Sequence, residues 1–366
     1  MPVSFVGKYP NHTRIVTGFT SFDMAVSGID FKRNIIPCMP MRCGLHVWSK
    51  QTGIGKTHFV LSIAGKVANA LNKDIAITPI DTFDIINLEG IFNWQGVNTN
   101  CEFVINPKGD AKSLDDLNTA LLKKNVCVSV LDSAYAAMST AVDEGDVEDA
   151  NMGRDAKMIS TYVRQAKGVI DSSKEDKLFI VTNMSFVSLG GRRGFGPPPY
   201  EPARGRTLMG ITSIHIDLND AWIANKSMKF DKGKLVTGKV VKNNFGPTGR
   251  EFYVFMIGGR GIHAGLTAAF DCVKYGLARL KGSSSKTAKI EMVDGDAVLL
   301  SYLIENYDDD SLFEEYISAV NSPYNKDVVL GNLDTPAPSL KFGDEDMNED
   351  DEINTNGQTP EELNNG

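Results

Sequence analysis

The sequence predicts an α/β fold: a mostly parallel, twisted sheet flanked by helices and extended by antiparallel strands. Three observations lead there. Apolar, β-branched runs at 74–80, 126–132 and 177–182 alternate with stretches of helical spacing, the order from which a parallel sheet with right-handed crossovers is built. The stretch HVWSKQTGIGKT at 46–57 joins an apolar strand to a helix through a glycine-containing loop. After Thr207 the texture changes to strands and hairpins: ITSIHIDL, AWIANKSMKF, LVTGKVVKNN and REFYVFMIG.

Taken in order, residues 1–13 read as a short arm with strand character at Val3, Phe5 and Val6. A short helix follows at 24–26, capped by Ser21 or Thr20. The segment HFVLSIAGKVANAL carries helical apolar spacing through Phe59, Val60, Ile63, Val67 and Leu71. Strands are expected at 74–80, 101–105, 126–132 and 177–182, and helices at 113–123 and 155–170. Residues 184–206 form a long loop rich in glycine, proline and arginine, and 266–320 read as a small, helical segment. The domains are therefore the arm (1–13), a core (14–265), a small C-terminal α/β domain (266–330), and a linker with an acidic tail (331–366).

The loop at 49–57 carries the chemistry. Backbone N–H groups at a helix N-terminus favour phosphate, and Gly53 and Gly55 allow close approach. Lys56 can reach the β- and γ-phosphates of a nucleoside triphosphate, and the Thr57 hydroxyl can ligate Mg²⁺. Ile54 and His58 complete the cofactor-binding stretch. In the pattern G-x-x-x-x-G-K-[ST] the first glycine falls on Lys50, so the loop entry must take a conformation that a lysine can bear. Asp132 ends an apolar strand, where a carboxylate orients the metal; capping the next helix is the competing role. Asp81, or Asp84 close by, either activates the attacking water or is a solvated loop acid.

Composition narrows the classes. The 366-residue chain has net charge −8, but 343–366 holds nine acids and neither Lys nor Arg, which leaves the body near neutral with room for basic patches. No apolar run reaches bilayer-spanning length and no signal peptide is seen, so a cytoplasmic protein with no membrane partner is expected. Cys38, Cys43, Cys101, Cys127 and Cys272 show no metal-ligand spacing and read as reduced thiols. His12, His46, His58, His215 and His263 are scattered and read as structural. In the loop 184–206, Arg192, Arg193, Arg204 and Arg206 can pair with phosphates, and Phe195 and Tyr200 can stack on bases.

Thr17-Gly18, Ser21-Phe-Asp23, the P-loop, VSVLDS, the segment 148–158, the strand ending at Asn183, GKVVKN at 238–243, the segment 251–255 and GRGI at 259–262 occur in one order. In that order the chain resembles the RecA-type homologous-recombination ATPases over roughly residues 14–320, and its short N-terminus and acidic tail look most like the phage branch typified by UvsX. The resemblance implies a RecA-like P-loop ATPase core and a helical homo-oligomeric filament on single-stranded DNA. It further implies pairing with double-stranded DNA, a single-strand-binding protein and a loader as partners, and host-cell cytoplasm as the setting if the source is a phage. It implies two DNA loops, one before Met152-Gly153 and one spanning 184–206, where Gly205 joins the arginines and Phe195. Asn183 would sense the γ-phosphate, and Lys242 would reach a neighbour's ATP, with Asn244 where the RecA branch has a second lysine. The catalytic glutamate is replaced by Asp81 or Asp84. Alternatives are a hexameric RecA-fold helicase or translocase and a weakly catalytic regulator of recombination filaments.

Overall fold

The computed structural model describes residues 14–27, 38–79, 85–97, 109–137, 152–187, 200–203, 205–223, 226–227, 230–282, 287–293 and 295–322. The first half of the chain contributes β1 (Arg14–Ile15), α1 (Thr20–Ser27), β2 (Met39–Pro40), β3 (Cys43–Ser49), α2 (Lys56–Leu71), β4 (Asp74–Pro79), α3 (Ile85–Trp94), α4 (Ala111–Leu122), β5 (Val126–Asp132) and α5 (Met152–Ser172). There follow β6 (Leu178–Val187), β7 (Tyr200–Pro202), α6 (Gly205–Ile211), β8 (Ile214–Asp220), β9 (Trp222–Ile223), β10 (Lys226–Ser227), β11 (Gly233–Asn243), β12 (Glu251–Ile257) and β13 (Gly261–Ile262). The last part holds α7 (Ala264–Lys274), β14 (Ala278–Lys281), β15 (Lys289–Met292), β16 (Ala297–Leu299), α8 (Leu300–Glu305) and α9 (Glu314–Asn321).

Strands β3 and β5 are buried at every position, which is why their sequences run apolar without alternating. They lie in one sheet of order β13-β12-β11-β8-β3-β6-β5-β4, with β7 pairing off β6. From β8 to β4 the neighbours are parallel; β8, β11, β12 and β13 pair antiparallel. Each face of the sheet has its own core. On one face α2 packs Phe59, Val60, Ile63 and Val67 against the strands; on the other, α4 and α5 pack Leu117, Leu121, Tyr162 and Val163. Close packing at the centre demands a glycine: a Cβ at Gly44 would lie 2.2 Å from the ring of Phe179, its register partner on β6. No described helix is long and apolar enough to cross a membrane.

Several boundaries differ from the sequence-based expectation. The first helix covers Thr20–Ser27, and neither Thr20 nor Ser21 caps it. Their hydroxyls turn to Asn321 and to the Tyr253 carbonyl, while the Asp23 carboxylate receives the N–H groups of Thr17 and Gly18. The stretch 184–206 is not one loop: β6 runs on to Val187, β7 folds back onto it, and α6 begins at Gly205. Strand β8 begins at Ile214 because 205–211 is helical, and AWIANKSMKF yields the two-residue pair β9–β10. The region 266–320 is mixed, not helical: the antiparallel sheet β14-β15-β16 packs with α7 and α8 around Phe270, Leu280, Ile290, Leu303 and Phe313. The helix expected at 113–123 is shifted to Ala111–Leu122, where Asp110 caps it by accepting from the Ser113 N–H, and that expected at 155–170 extends to Met152–Ser172. The arm, the strand expected at 101–105 and the acidic tail lie outside the described residues. Cys38, Cys43, Cys127 and Cys272 are buried free thiols; Cys101 is outside the described residues.

Candidate functional site

Strand β3 delivers the chain to the C-terminal edge of the sheet, where residues 50–55 turn into α2. Gly53 and Gly55 take left-handed φ angles of 65° and 98°. Gly55 is the N-cap of α2 and offers no side chain to its N-terminal N–H groups, the feature that makes a helix end receptive to phosphate. A side chain at Gly55 is doubly disfavoured, since its Cβ would also lie 2.9 Å from Met256. Among the described residues only Arg42 and Asn72 take positive φ without being glycine, so Lys50 bears an ordinary backbone conformation at the motif's first glycine position. The Ile54 side chain is buried in the core, and His58 accepts from the Gly259 N–H through Nε2 at 3.2 Å, so both reach the loop through backbone alone.

Behind the loop stands Asp132, at the end of β5 and preceding a cis peptide to Ser133. Thr57 Oγ1 donates to one carboxylate oxygen at 2.5 Å, and Thr182 Oγ1 donates to the other. Asp132 therefore holds Thr57 through one oxygen and Thr182 through the other. Lys56 Nζ lies 3.1 Å from Met184 Sδ on β6. Beside it, Asn183 is fully buried and its amide is fixed on both sides: Oδ1 accepts from the Met184 N–H at 2.9 Å, and Nδ2 donates to the Ala203 carbonyl at 2.6 Å and to His46 Nε2 at 3.3 Å. Lys56 thus touches the strand that leads into residues 188–199.

The donor set fits Mg²⁺. A hydroxyl and a carboxylate are hard oxygen ligands, and Mg²⁺ in nucleotide sites takes one or two carboxylates with phosphate oxygens supplying the rest. Thr57 can keep donating its proton to Asp132 while offering a lone pair to the ion. Among the described residues no group of three or more His, Cys, Asp or Glu offers a rival cage. A cavity of about 390 Å³ opens beside the loop, between Gly53, His58, Phe230, Lys232 and Met256. Lys234, on its wall, donates to the Gly53 carbonyl and steadies the loop tip.

Lys242 sits near the end of β11, and its ammonium lies across the end of α6, donating to the carbonyls of Met209 and Thr212 at 2.8 Å. Partial burial lowers its pKa. The strand register sets His46 of β3, His215 of β8 and Lys242 of β11 in one row across the sheet. Both imidazoles are fully buried, with ring centroids 5.5 Å apart and edge to face. Burial, then its neighbour His215, holds His46 well below the usual histidine range. Burial, then the Lys242 charge, lowers His215 to about 4, opposed by the Thr212 backbone.

Met152 and Gly153 open α5, and Gly205 and Arg206 open α6. Asp81, Asp84, Arg192, Arg193, Phe195 and Arg204 lie outside the described residues. Sequence reasoning passed over Thr182 and Met184, although a hydroxyl inside the apolar run LFIVTNM was a signal. It also passed over Tyr135 and Phe186, an exposed aromatic pair 5.3 Å apart at the ends of the segments that lead into 138–151 and 188–199. The histidines at 46 and 215, read as scattered, adjoin through strand pairing.

The RecA N-terminal domain family matches residues 34–263. The chain is 29% identical over 212 residues to the Protein RecA of a Nitratiruptor species, covering 57% of this chain and 58% of that one. To the Protein RecA of Syntrophus aciditrophicus it is 26% identical over 253 residues, covering 68% and 67%. To that of Leptospira meyeri it is 25% identical over 227 residues, covering 62% and 57%. The chain thus spans little more than half the length of two of these relatives. A crystal structure of the RadB recombinase aligns with a TM-score of 0.44 at 17% identity, covering 61% of this chain and 90% of that chain, a score too low to build on. The family match takes in the P-loop, the Asp132 strand, Asn183 and Lys242, and the chain belongs to the RecA N-terminal domain family.

Proposed function

We propose that this protein is an ATP-dependent recombinase, which assembles head to tail on single-stranded DNA, hydrolyses ATP at its subunit boundaries, and pairs the bound strand with homologous double-stranded DNA. One observation carries the reading: the contact of Lys56 with Met184, beside an Asn183 that is bonded to Ala203. A group that must respond to the γ-phosphate is thereby joined to both strands that flank residues 188–199, the segment holding Arg192, Arg193 and Phe195.

In this reading the N-terminal N–H groups of α2 and Lys56 hold the phosphates, and Thr57 with Asp132 holds Mg²⁺. A Mg²⁺ ion held there would supply neutralisation of phosphate charge. Asp81, or Asp84, orients the attacking water, one methylene shorter than a glutamate. Lys242 serves a neighbour's nucleotide after leaving the α6 carbonyls. Arg192, Arg193, Arg204, Gly205 and Arg206 contact the DNA backbone, Phe195 its bases, and Met152-Gly153 ends the other DNA loop. The setting is the cytoplasm. The acidic tail favours the phage branch, with a single-strand-binding protein and a loader as further partners.

Electron microscopy with single-stranded DNA and a non-hydrolysable ATP analogue tests the reading. A continuous helix is expected; a closed ring would favour the helicase reading, and neither form would favour the regulator. In parallel, single-stranded DNA should stimulate ATP hydrolysis, and Lys56→Ala should lower the rate by roughly 100-fold or more.

A further inference from the structure

Two histidines stand where the sheet's interior calls for aliphatic side chains, and their hydrogen bonds fix their tautomers. An amide nitrogen only donates, so His46 Nε2, 3.3 Å from Asn183 Nδ2, is bare and the His46 proton is on Nδ1. Thr212 Oγ1 lies 2.5 Å from the Leu208 carbonyl, and that contact uses its single proton. His215 Nε2, 2.6 Å from the same hydroxyl, must then donate to it, which leaves His215 Nδ1 bare. The two remaining nitrogens, His46 Nδ1 with its proton and His215 Nδ1 without, are buried and have no hydrogen-bond partner.

The unused donor and the unused acceptor are complementary, on rings 5.5 Å apart in centroid and inclined at 78°. A small rotation that joined them would give a line in which every link donates to the next: Asn183 to His46, His46 to His215, His215 to Thr212, and Thr212 to Leu208. One-way lines of this kind polarise cooperatively. The line starts one residue from the Met184 that touches Lys56. It ends on α6, whose last carbonyls, with that of Thr212, hold Lys242.

We propose that His46 and His215 are positioning residues: they transmit the state of Asn183 at the phosphate-binding lysine across β3 and β8 to the end of α6 that holds or releases Lys242. The inference rests on the proposed ATPase reading. It assigns the histidines no contact with nucleotide. Both are neutral at physiological pH and pass hydrogen-bond polarity, not charge. Trp48 packs against both rings, with its centroid 4.8 Å from that of His46 and 5.5 Å from that of His215.

Two measurements on the full-length protein test it. The first reads tautomers, by long-range proton–nitrogen spectra of protein labelled with ¹⁵N-histidine. Protonation at His46 Nδ1 and at His215 Nε2 is expected, as is a change at His215 Nδ1 when magnesium and ATPγS are added. A reversed tautomer at either ring, or an unmoved His215 Nδ1 in protein shown to bind ATPγS, overturns the inference. The second measures steady-state hydrolysis with single-stranded DNA. His46→Leu and His215→Leu should each lower kcat roughly tenfold with KM for ATP within about twofold, and the double variant should be no worse than either single one. His46→Gln, whose amide can accept from Asn183 and donate onward, should recover most of the loss. Losses that multiply in the double variant, or a glutamine no better than leucine, overturn the inference. Absent hydrolysis in a wild-type protein with the assigned tautomers defeats the ATPase reading instead.

Discussion

Thr182→Val isolates the hydrogen bond that steadies Asp132. Thr182 is fully buried, and its hydroxyl donates to the Asp132 oxygen that Thr57 does not use. Valine keeps the shape and the β-branching, so the substitution opens no cavity and leaves strand propensity intact. What is lost is one hydrogen bond to a carboxylate that is only 4% exposed, about 1.5–3 kcal/mol. At roughly 2–4 °C per kcal/mol for a domain of this size, the melting temperature should fall by about 3–12 °C. In the proposed site the same hydroxyl would orient a metal ligand, so Mg²⁺-dependent binding of a fluorescent ATP analogue should weaken by about 10–100-fold. Thr182→Ser, which retains the hydroxyl, should bind Mg²⁺ nearly as well as wild type. Thermal melts by circular dichroism and a Mg²⁺ titration at fixed nucleotide are sufficient. A valine variant that melts within about 1 °C of wild type, or a serine variant as defective in Mg²⁺ binding as valine, refutes the reasoning.

Gly44→Ala should destabilise the sheet by about 1–3 kcal/mol, because its Cβ would lie 2.2 Å from the Phe179 ring; Phe179→Leu in the same chain should recover part of the loss in a urea melt. Asp271 is buried and its carboxyl is raised to about 7, chiefly by burial. Its contribution is fully present below the unfolded-state value near 4 and is lost as pH rises through about 7. Asp271→Asn should therefore gain stability relative to wild type between about pH 4 and pH 7, by up to roughly 1.4 kcal/mol per pH unit, and parallel stability–pH curves would contradict this. Met184→Leu removes the sulfur that receives Lys56 while keeping the volume, so ATP should bind more tightly, by about two- to tenfold in a direct titration; unchanged or weaker binding would show that the contact does not compete.

What could be read from the sequence was whatever local pattern encodes. The apolar run before the P-loop, the helical spacing after it and the strand ending at Asp132 each depend on neighbours a few residues away, and the structure places them as read. Thr57 meets Asp132 because both occupy the C-terminal edge of a parallel sheet, a position that follows from topology alone. The row of His46, His215 and Lys242 was not legible. It depends on the pairing register of three strands far apart in the chain, and slipping any strand by one residue would face its side chain to the other side. Loop boundaries failed for a related reason. Phe186, Val187 and Tyr200 look like loop residues until β6 and β7 pair, and only then do their backbone groups have partners. Thr20 and Ser21 mimic a cap, but tertiary acceptors at Asn321 and Tyr253 draw them away.

The contacts around the P-loop have a consequence for how nucleotide enters. Lys56 rests on Met184, so the ammonium a triphosphate would seek is already engaged inside the chain, while the bond from Thr57 to Asp132 can persist beside a bound ion. The protein therefore supplies a competitor for its own ligand. Binding becomes an exchange of partners, and affinity is the difference between two sets of contacts. Selection can tune that difference through residues such as Met184 that never meet the nucleotide, while the loop that does meet it stays unchanged.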